Sequence, residues 1–369
     1  MRVAIVHDWL VSYRGGEKVL EMICDLYPDA PIYTLFCDRK KLPPSLQKKD
    51  IRTPPTLDHL TMIRKLLLPL LPSFIESFSL WDYDLVISSS SCVAKGVLTG
   101  PQTKHISYIH SPMRYIWDQR DSYFQNFNRI PLLSSVLHLL LSKLRLWDTV
   151  SSTRVDLMIA NSSFVEKRIR RYYGRSSSLI HPPIDTEYFT IDPSKPPPEL
   201  EEPYYLVAGA FVPYKNFELA IEACEKLGRK LIIAGSGPCE SSLRACVKKY
   251  SSLVISPKDP DWRKLLQHAK GLLFPGVEDF GMLAVEAMAC GTPVLALKAG
   301  GALDYVEEGL SGLFFEQNSL QSLMDGIEKF EKIPFQRESV RAVSQKFDKV
   351  TFLKKITSEI NRVLRNEIS

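Results

Sequence analysis

Short runs of Val, Ile and Leu recur along this chain, each followed by a stretch of helical spacing, and the series stops and restarts once. Val3-Ala4-Ile5-Val6 is the first run, and Gly15-Gly16 stand ahead of a helix from about Glu17 to Leu26. Leu85-Val86-Ile87, His105-Ile106-Ser107-Tyr108 and Leu157-Met158-Ile159-Ala160 follow, with Asn161-Ser162-Ser163 as an N-cap for a helix over 164–172. Short, continuously apolar runs fit strands covered on both faces, as in a parallel sheet wrapped by helices. The series breaks at Asp192-Pro-Ser-Lys-Pro-Pro-Pro-Glu-Leu-Glu-Glu-Pro203. Three consecutive prolines supply no backbone N–H and fit neither a helix interior nor a central strand. Strands are predicted again at 204–208, 230–234, 253–255, 271–274 and 293–296, with helices at 217–226 and 239–249 and an amphipathic segment over 350–367. The pattern predicts an α/β fold of two doubly wound, Rossmann-like domains facing across a cleft, where ligands bind at the ends of parallel strands. The expected boundaries are 1–190, a linker at 191–203, a second domain at 204–345, and a C-terminal helix at 346–369 packing back on the first domain.

With 369 residues, 45% hydrophobic and 24% charged, the chain is long enough for two cores and outside the disordered, collagen-like and multi-span membrane classes. Residues 1–185 carry 24 Lys+Arg and 17 Asp+Glu, net +7, and the remainder 23 and 25, net −2. A basic front half predicts an anionic partner there, but the excess is too mild for a nucleic-acid binder and no nucleic-acid motif is present. Seven scattered cysteines without a C-x-x-C pair read as reduced thiols of a cytoplasmic protein. His7-Asp8 interrupt the N-terminal apolar stretch, which therefore reads as a buried strand rather than a signal peptide. The uncharged run Ile130 to Ser142 is too short to span a bilayer. A nicotinamide-dependent oxidoreductase is disfavoured, since neither Gly15-Gly16 nor Gly235-Ser-Gly237 completes G-x-G-x-x-G.

The strongest chemical signal is Pro275-Gly-Val-Glu-Asp-Phe-Gly-Met-Leu-Ala-Val-Glu-Ala-Met-Ala-Cys-Gly-Thr-Pro293. Glu278 follows a predicted strand, Phe280-Gly281 bring the chain to a helix start, and Glu286 falls inside that helix. The first-turn N–H groups of a helix have no partner within it and sit at the positive end of its dipole, so they bind an anion without any side chain. A phosphate there has a carboxylate on either side to accept hydroxyl hydrogens, which suits a polyhydroxylated phosphate ester. For either glutamate alone, an ordinary solvated helix face is the alternative.

E-x-F-G-x-x-x-x-E followed by A-M-A-C-G-T-P-V resembles the donor-site signature of the retaining glycosyltransferases of family 4, also called group 1, with the GT-B fold. Val212-Pro213-Tyr214-Lys215 resembles the opening of that family's second domain, Ala234-Gly235-Ser236-Gly237-Pro238 its second glycine turn, and His181-Pro182-Pro183-Ile184-Asp185 the close of its first. His7-Asp8-Trp9, Gly15-Gly16-Glu17 and Tyr108-Ile109-His110-Ser111-Pro112 are similar to a bacterial mannosyltransferase-type subgroup. In that subgroup the donor is typically GDP-mannose and the product surface polysaccharide. The resemblance implies that Glu286 binds the ribose hydroxyls and Glu278 the donor sugar. Backbone groups of Phe280, Gly281 and Met282 would contact sugar and phosphates, and Lys215 the diphosphate. It places Gly15 and Gly16 beside the sugar and phosphates, and His110 against the sugar. It further implies front-face substitution with no metal and no cofactor, the nucleotide sugar being a co-substrate, and a glycan or lipid-linked oligosaccharide as acceptor.

Lys215 has independent physical support, because a fixed cation stabilises the charge gained by a departing nucleoside diphosphate more in the transition state than before it. The chain departs from the family at Val207-Ala208-Gly209-Ala210-Phe211, where many members carry a second diphosphate-binding Arg. Either Lys215 and helix dipoles suffice or a basic residue elsewhere substitutes. A UDP-sugar donor and a turnover-deficient glycan-assembly scaffold are the alternative readings. Arg64 to Leu71 and Leu132 to Trp147, with Lys143 and Arg145, mix apolar and basic residues. They fit either buried helices or peripheral contact with an anionic membrane at the inner face of the cell membrane.

Overall fold

A computed structural model describes residues 1–57, 67–118 and 131–365, and for 131–134 and 136 the backbone alone. The chain forms two compact units, Met1–Pro183 together with the chain from Phe352 onward, and Ile184–Thr351.

In the first unit, β1 (Val3–His7), β2 (Ile32–Thr34), β3 (Ile51–Arg52), β4 (Leu85–Ser90), β5 (Lys104–Ile109), β6 (Leu157–Ala160) and β7 (Ser178–Leu179) form one sheet in the order β3-β2-β1-β4-β5-β6-β7. All its pairings are parallel. Successive side chains of a strand point to opposite faces, and β1 divides accordingly. Val3 and Ile5 join a cluster with Leu20, Ile23, Ile87 and Ile106, while Ala4 and Val6 join one with Leu35, Ile75 and Val86. Phe352, Ile356 and Ile360 recur every four residues, followed by Val363, so they share one face of the Lys349–Leu364 helix, and that face lies in the first of these clusters.

In the second unit, β8 (Tyr205–Ala210), β9 (Leu231–Ser236), β10 (Ser251–Ile255), β11 (Gly271–Phe274), β12 (Val294–Leu297) and β13 (Gly312–Phe315) form a parallel sheet in the order β10-β9-β8-β11-β12-β13. In both sheets the strand order reverses direction beside the first strand, between β1 and β4 and between β8 and β11. In doubly wound sheets such switch points leave a crevice at the carboxyl ends of the strands.

Several expectations shift. The division falls at Pro183/Ile184 rather than at 190, and the proline-rich stretch belongs to the second unit instead of forming a free linker. Leu200 is buried in that unit's core beside Tyr204 and Leu265. The Arg341 guanidinium donates to the carbonyls of Thr186, Phe189 and Ala289, and Arg337 donates to those of Asp192, Gln267 and Cys290. The two arginines thus tie the carbonyls at and just before the start of the proline-rich stretch to those of Gln267, Ala289 and Cys290. The helix expected over 239–249 is shorter, Glu240–Cys246. The Lys349–Leu364 helix likewise starts and ends before the expected 350–367. β2 and the edge strands β3, β7 and β13 appear where no strand was expected.

Candidate active site

In the second unit the candidate residues gather at the β8/β11 switch point. Beyond β8, Pro213–Lys215 form one 3-10 turn, and Asn216 takes the left-handed conformation (φ 52°) that starts the Phe217–Leu227 helix. Asn216 Nδ2 donates to the carbonyl of Pro275, tying this turn to the loop after β11. Lys215 Nζ lies 2.8 Å from Glu278 Oε1, both side chains less than a fifth exposed. A cation from one side of the switch point and a carboxylate from the other are therefore held together. Lys215 runs over the backbone of Gly209, where an added Cβ would stand 2.5 Å from Nζ.

Gly281 (φ 91°) is the N-cap of the Met282–Ala289 helix, a conformation that costs any side chain. A Cβ there would also meet Phe274 at 2.7 Å and the Tyr305 hydroxyl at 2.8 Å. Phe280 turns inward, 2% exposed, edge-on to Tyr305 and Phe347 at ring separations of 5.3 and 5.6 Å. Its backbone thus stays at the helix start while its ring anchors the loop. Gly301 N donates to the carbonyl of Glu278 at 2.9 Å, fixing the loop from its far side. Met282 is the first residue of the helix, and Glu286 lies on it, buried at 5% exposure. The structure joins Lys215 to Glu278 directly and sets Phe280, Gly281, Met282 and Glu286 along one loop and helix start.

In the first unit, Gly15 and Gly16 open the Gly15–Leu26 helix. A Cβ on Gly16 would lie 3.8 Å from His110 Nε2 and 3.9 Å from His7 Cε1. His110, just past β5, donates its backbone N–H to Ser90 O, and Asn161 Nδ2 donates to His110 O at 3.0 Å. Its Nε2 lies 2.8 Å from Ser89 Oγ, which is also 3.1 Å from His7 Nδ1. Burial, and then the neighbouring His7, pull the His110 imidazole down to about 3, so the ring is neutral at physiological pH. Gly15, Gly16 and His110 are thus brought together within this unit.

Three groups at these sites escaped sequence reasoning. Ser89 joins the two histidines only because the register sets it opposite His7. Asp8 is 1% exposed and accepts from the backbone N–H groups of Ser91, Cys92, Val93 and Ala94 and from the Ser91 hydroxyl. It shapes the turn after β4 and is saturated as an acceptor. Tyr305 underlies the helix start. Only Asp8 carried a signal, a carboxylate inside an apolar run.

Among the described residues, no three His, Cys, Asp or Glu side chains converge as metal ligands, and no helix is long and apolar enough to cross a membrane. Arg64, Lys65, Leu66 and Ile130 lie outside the described residues. The Pro131–Ser151 helix buries Leu141 and Leu144 and exposes Leu139, Leu146 and Val150.

Two family models match successive parts of the chain, Glycosyltransferase Family 4 over residues 15–188 and Glycosyl transferases group 1 over 189–347. An uncharacterized glycosyltransferase of Methanocaldococcus jannaschii is 25% identical over 182 residues, 48% of this chain and 50% of that protein. The D-inositol 3-phosphate glycosyltransferase of Mycobacterium tuberculosis is 27% identical over 194 residues, 47% of this chain and 40% of that protein. The chain thus spans about half the length of the curated relatives it matches. Among solved structures, Anabaena HepE in complex with UDP superposes with a TM-score of 0.72 at 18% identity, over 98% of this chain and 100% of that one. The sucrose-phosphate synthase of Thermosynechococcus elongatus does so with 0.73 at 16% identity, over 99% and 100%.

Proposed function

Since the chain belongs to the GT-B glycosyltransferases, with a family 4 and a group 1 domain in succession, we propose that it moves a hexose from a nucleoside diphosphate sugar to a glycan acceptor with retention of configuration. The observation that carries this reading is the Lys215–Glu278 pair at the β8/β11 switch point, beside the start of the Met282–Ala289 helix. Lys215 and the helix N–H groups receive the diphosphate and stabilise the charge it gains on leaving, in the place a divalent ion would take. Glu278 accepts hydrogen bonds from the donor sugar, and buried Glu286 from the ribose. Neutral His110 is a hydrogen-bonding partner for a sugar hydroxyl. In front-face substitution the departing phosphate oxygen takes the acceptor proton, so no separate base is called for.

We take GDP-mannose as the donor, following the subgroup resemblance, and surface polysaccharide synthesis as the setting. A UDP-sugar is the second reading, favoured by the UDP and UDP-glucose bound to the similarly folded HepE. The exposed Leu139, Leu146 and Val150 beside Lys143 suit a lipid-linked acceptor at a membrane surface.

Thermal-shift titration with GDP, UDP and ADP and their hexose conjugates tests the reading. One nucleotide class should stabilise the wild type, and Glu286→Ala should lose that shift. A GDP preference supports the mannosyl donor, a UDP preference replaces it, and stabilisation by none contradicts the site. In turnover, Lys215→Ala should lower kcat more than it raises donor KM, since its interaction grows toward the transition state.

A further inference from the structure

Three side chains at the carboxyl ends of β1, β4 and β5 meet around a single hydroxyl. Ser89 Oγ faces His7 Nδ1 at 3.1 Å and His110 Nε2 at 2.8 Å. Ser89 is fully buried and His7 is 5% exposed, and the two imidazoles stand edge-on with centroids 6.5 Å apart. A hydroxyl carries one proton, and a neutral imidazole has one N–H and one bare nitrogen. Ser89 can therefore donate to one ring only, and the other ring completes the chain by donating to Ser89. If Ser89 donates to His110 Nε2, that ring carries its proton on Nδ1, and His7 also donates from Nδ1. If Ser89 donates to His7 Nδ1, that ring carries its proton on Nε2, and His110 also donates from Nε2. In both arrangements the two rings carry their proton on the same nitrogen.

We propose that His7 and Ser89 are positioning residues that hold His110 in one neutral tautomer, so that it presents a fixed hydrogen-bonding face to a sugar hydroxyl. The inference rests on the glycosyltransferase reading above. The surroundings restrict the ring further. Gly16 abuts it without a side chain, Tyr108 packs edge-on at 5.1 Å, and Asn161 holds the His110 carbonyl. The hydrogen bond made by one ring nitrogen of a histidine decides what the other can offer a ligand, which makes the pair on β1 and β4 part of the specificity of a residue just past β5.

Nitrogen-15 spectra of histidine-labelled protein at neutral pH test the coupling directly. Where both rings are neutral, His7 and His110 should each appear as one tautomer, and the same one. Opposite tautomers, or exchange of His110 between both forms with Ser89 intact, overturn the proposal. In Ser89→Ala, His110 should become a mixture, and an unchanged His110 spectrum counts against it. In turnover, Ser89→Ala and His7→Ala should lower kcat about 10- to 100-fold through misplacement of His110, with donor KM nearly unchanged. His7→Asn, whose amide takes the place of Nδ1, should retain most of the rate. Equal losses in the Ala and Asn variants, or a rise in KM alone, speak for a merely structural pair. The spectra need no substrate, so failure to find any sugar transfer would remove the functional reading while leaving the tautomer question answered separately.

Discussion

Gly209 is the residue on which the Lys215–Glu278 contact turns. Its φ of 126° lies where side chains are strained, and an added Cβ would come within 2.5 Å of Lys215 Nζ and 3.5 Å of its Cε. The side chain of Lys215 therefore occupies the volume that a residue at 209 would claim. Gly209→Ala should displace the ammonium from Glu278 and cost about 1–3 kcal/mol of stability from backbone strain. Loss of a preorganised cation should lower kcat by about 10-fold or more. Urea unfolding and steady-state kinetics together check this, and a Gly209→Ala enzyme with normal turnover would show that Lys215 does not need that path. Lys215, Glu278 and Glu286 stand out as candidates from their neighbours in the sequence alone, the first in 212–215 and the other two in 275–293. Gly209 and Ser89 were not legible, because Ser89 depends on the register that sets it opposite His7 and Gly209 on the way Lys215 folds back over it from the turn after β8.

At the scale of elements, strands made of continuous apolar runs were legible because such runs leave little choice. β6 and β11 match their expected limits. The short edge strands β3 and β7 are half-polar and take their form from pairing. The proline-rich stretch reads as a linker because the arginines that bind its neighbouring carbonyls, Arg337 and Arg341, lie well over a hundred residues further along the chain. The Pro131–Ser151 helix shows the same limit. It is fastened to the first sheet by a fully buried ion pair, Lys95 Nζ to Asp148 Oδ1 at 2.6 Å. Ser151 Oγ takes a further Lys95 proton, and Trp117 and Tyr173 donate to Asp148 Oδ2. Nothing in the sequence around Lys95 announces a charge with 1% exposure. Removing one partner strands the other in the core, so Lys95→Met should cost about 3–5 kcal/mol in urea unfolding. Adding Asp148→Asn, which keeps an acceptor for Trp117 and Tyr173 without the charge, should recover more than half of that. A double variant as unstable as Lys95→Met would locate the cost in packing instead.

For the whole molecule, the two units differ in how their stability responds to acid. His105, in the first unit, has no exposed surface, and burial pulls its imidazole down to about 4 against a weaker opposing pull from Asp156. Unfolded, the same ring titrates near 6.5. Between about 6.5 and about 4 the unfolded state therefore binds the extra proton, and the first unit loses stability as pH falls. The shift corresponds to roughly 3 kcal/mol at its full extent. His110 adds in the same direction. In the second unit a shift of the same sign acts only at lower pH. Glu331, hydrogen-bonded first by Arg229 and then by Lys270, is held down to about 2, and its contribution is complete above the ordinary carboxyl range near 4.3 and lost only below it. Mildly acidic conditions should thus weaken the first unit alone. Trp9, Trp81, Trp117 and Trp147 belong to that unit and Trp262 to the other, so in Trp262→Phe protein tryptophan fluorescence follows the first unit by itself. Its melting temperature should fall steadily from neutral pH toward pH 5. His105→Gln, which keeps a group facing Ser88 but takes up no proton, should flatten that slope. A slope equal in wild type and His105→Gln would assign the acid sensitivity to other groups.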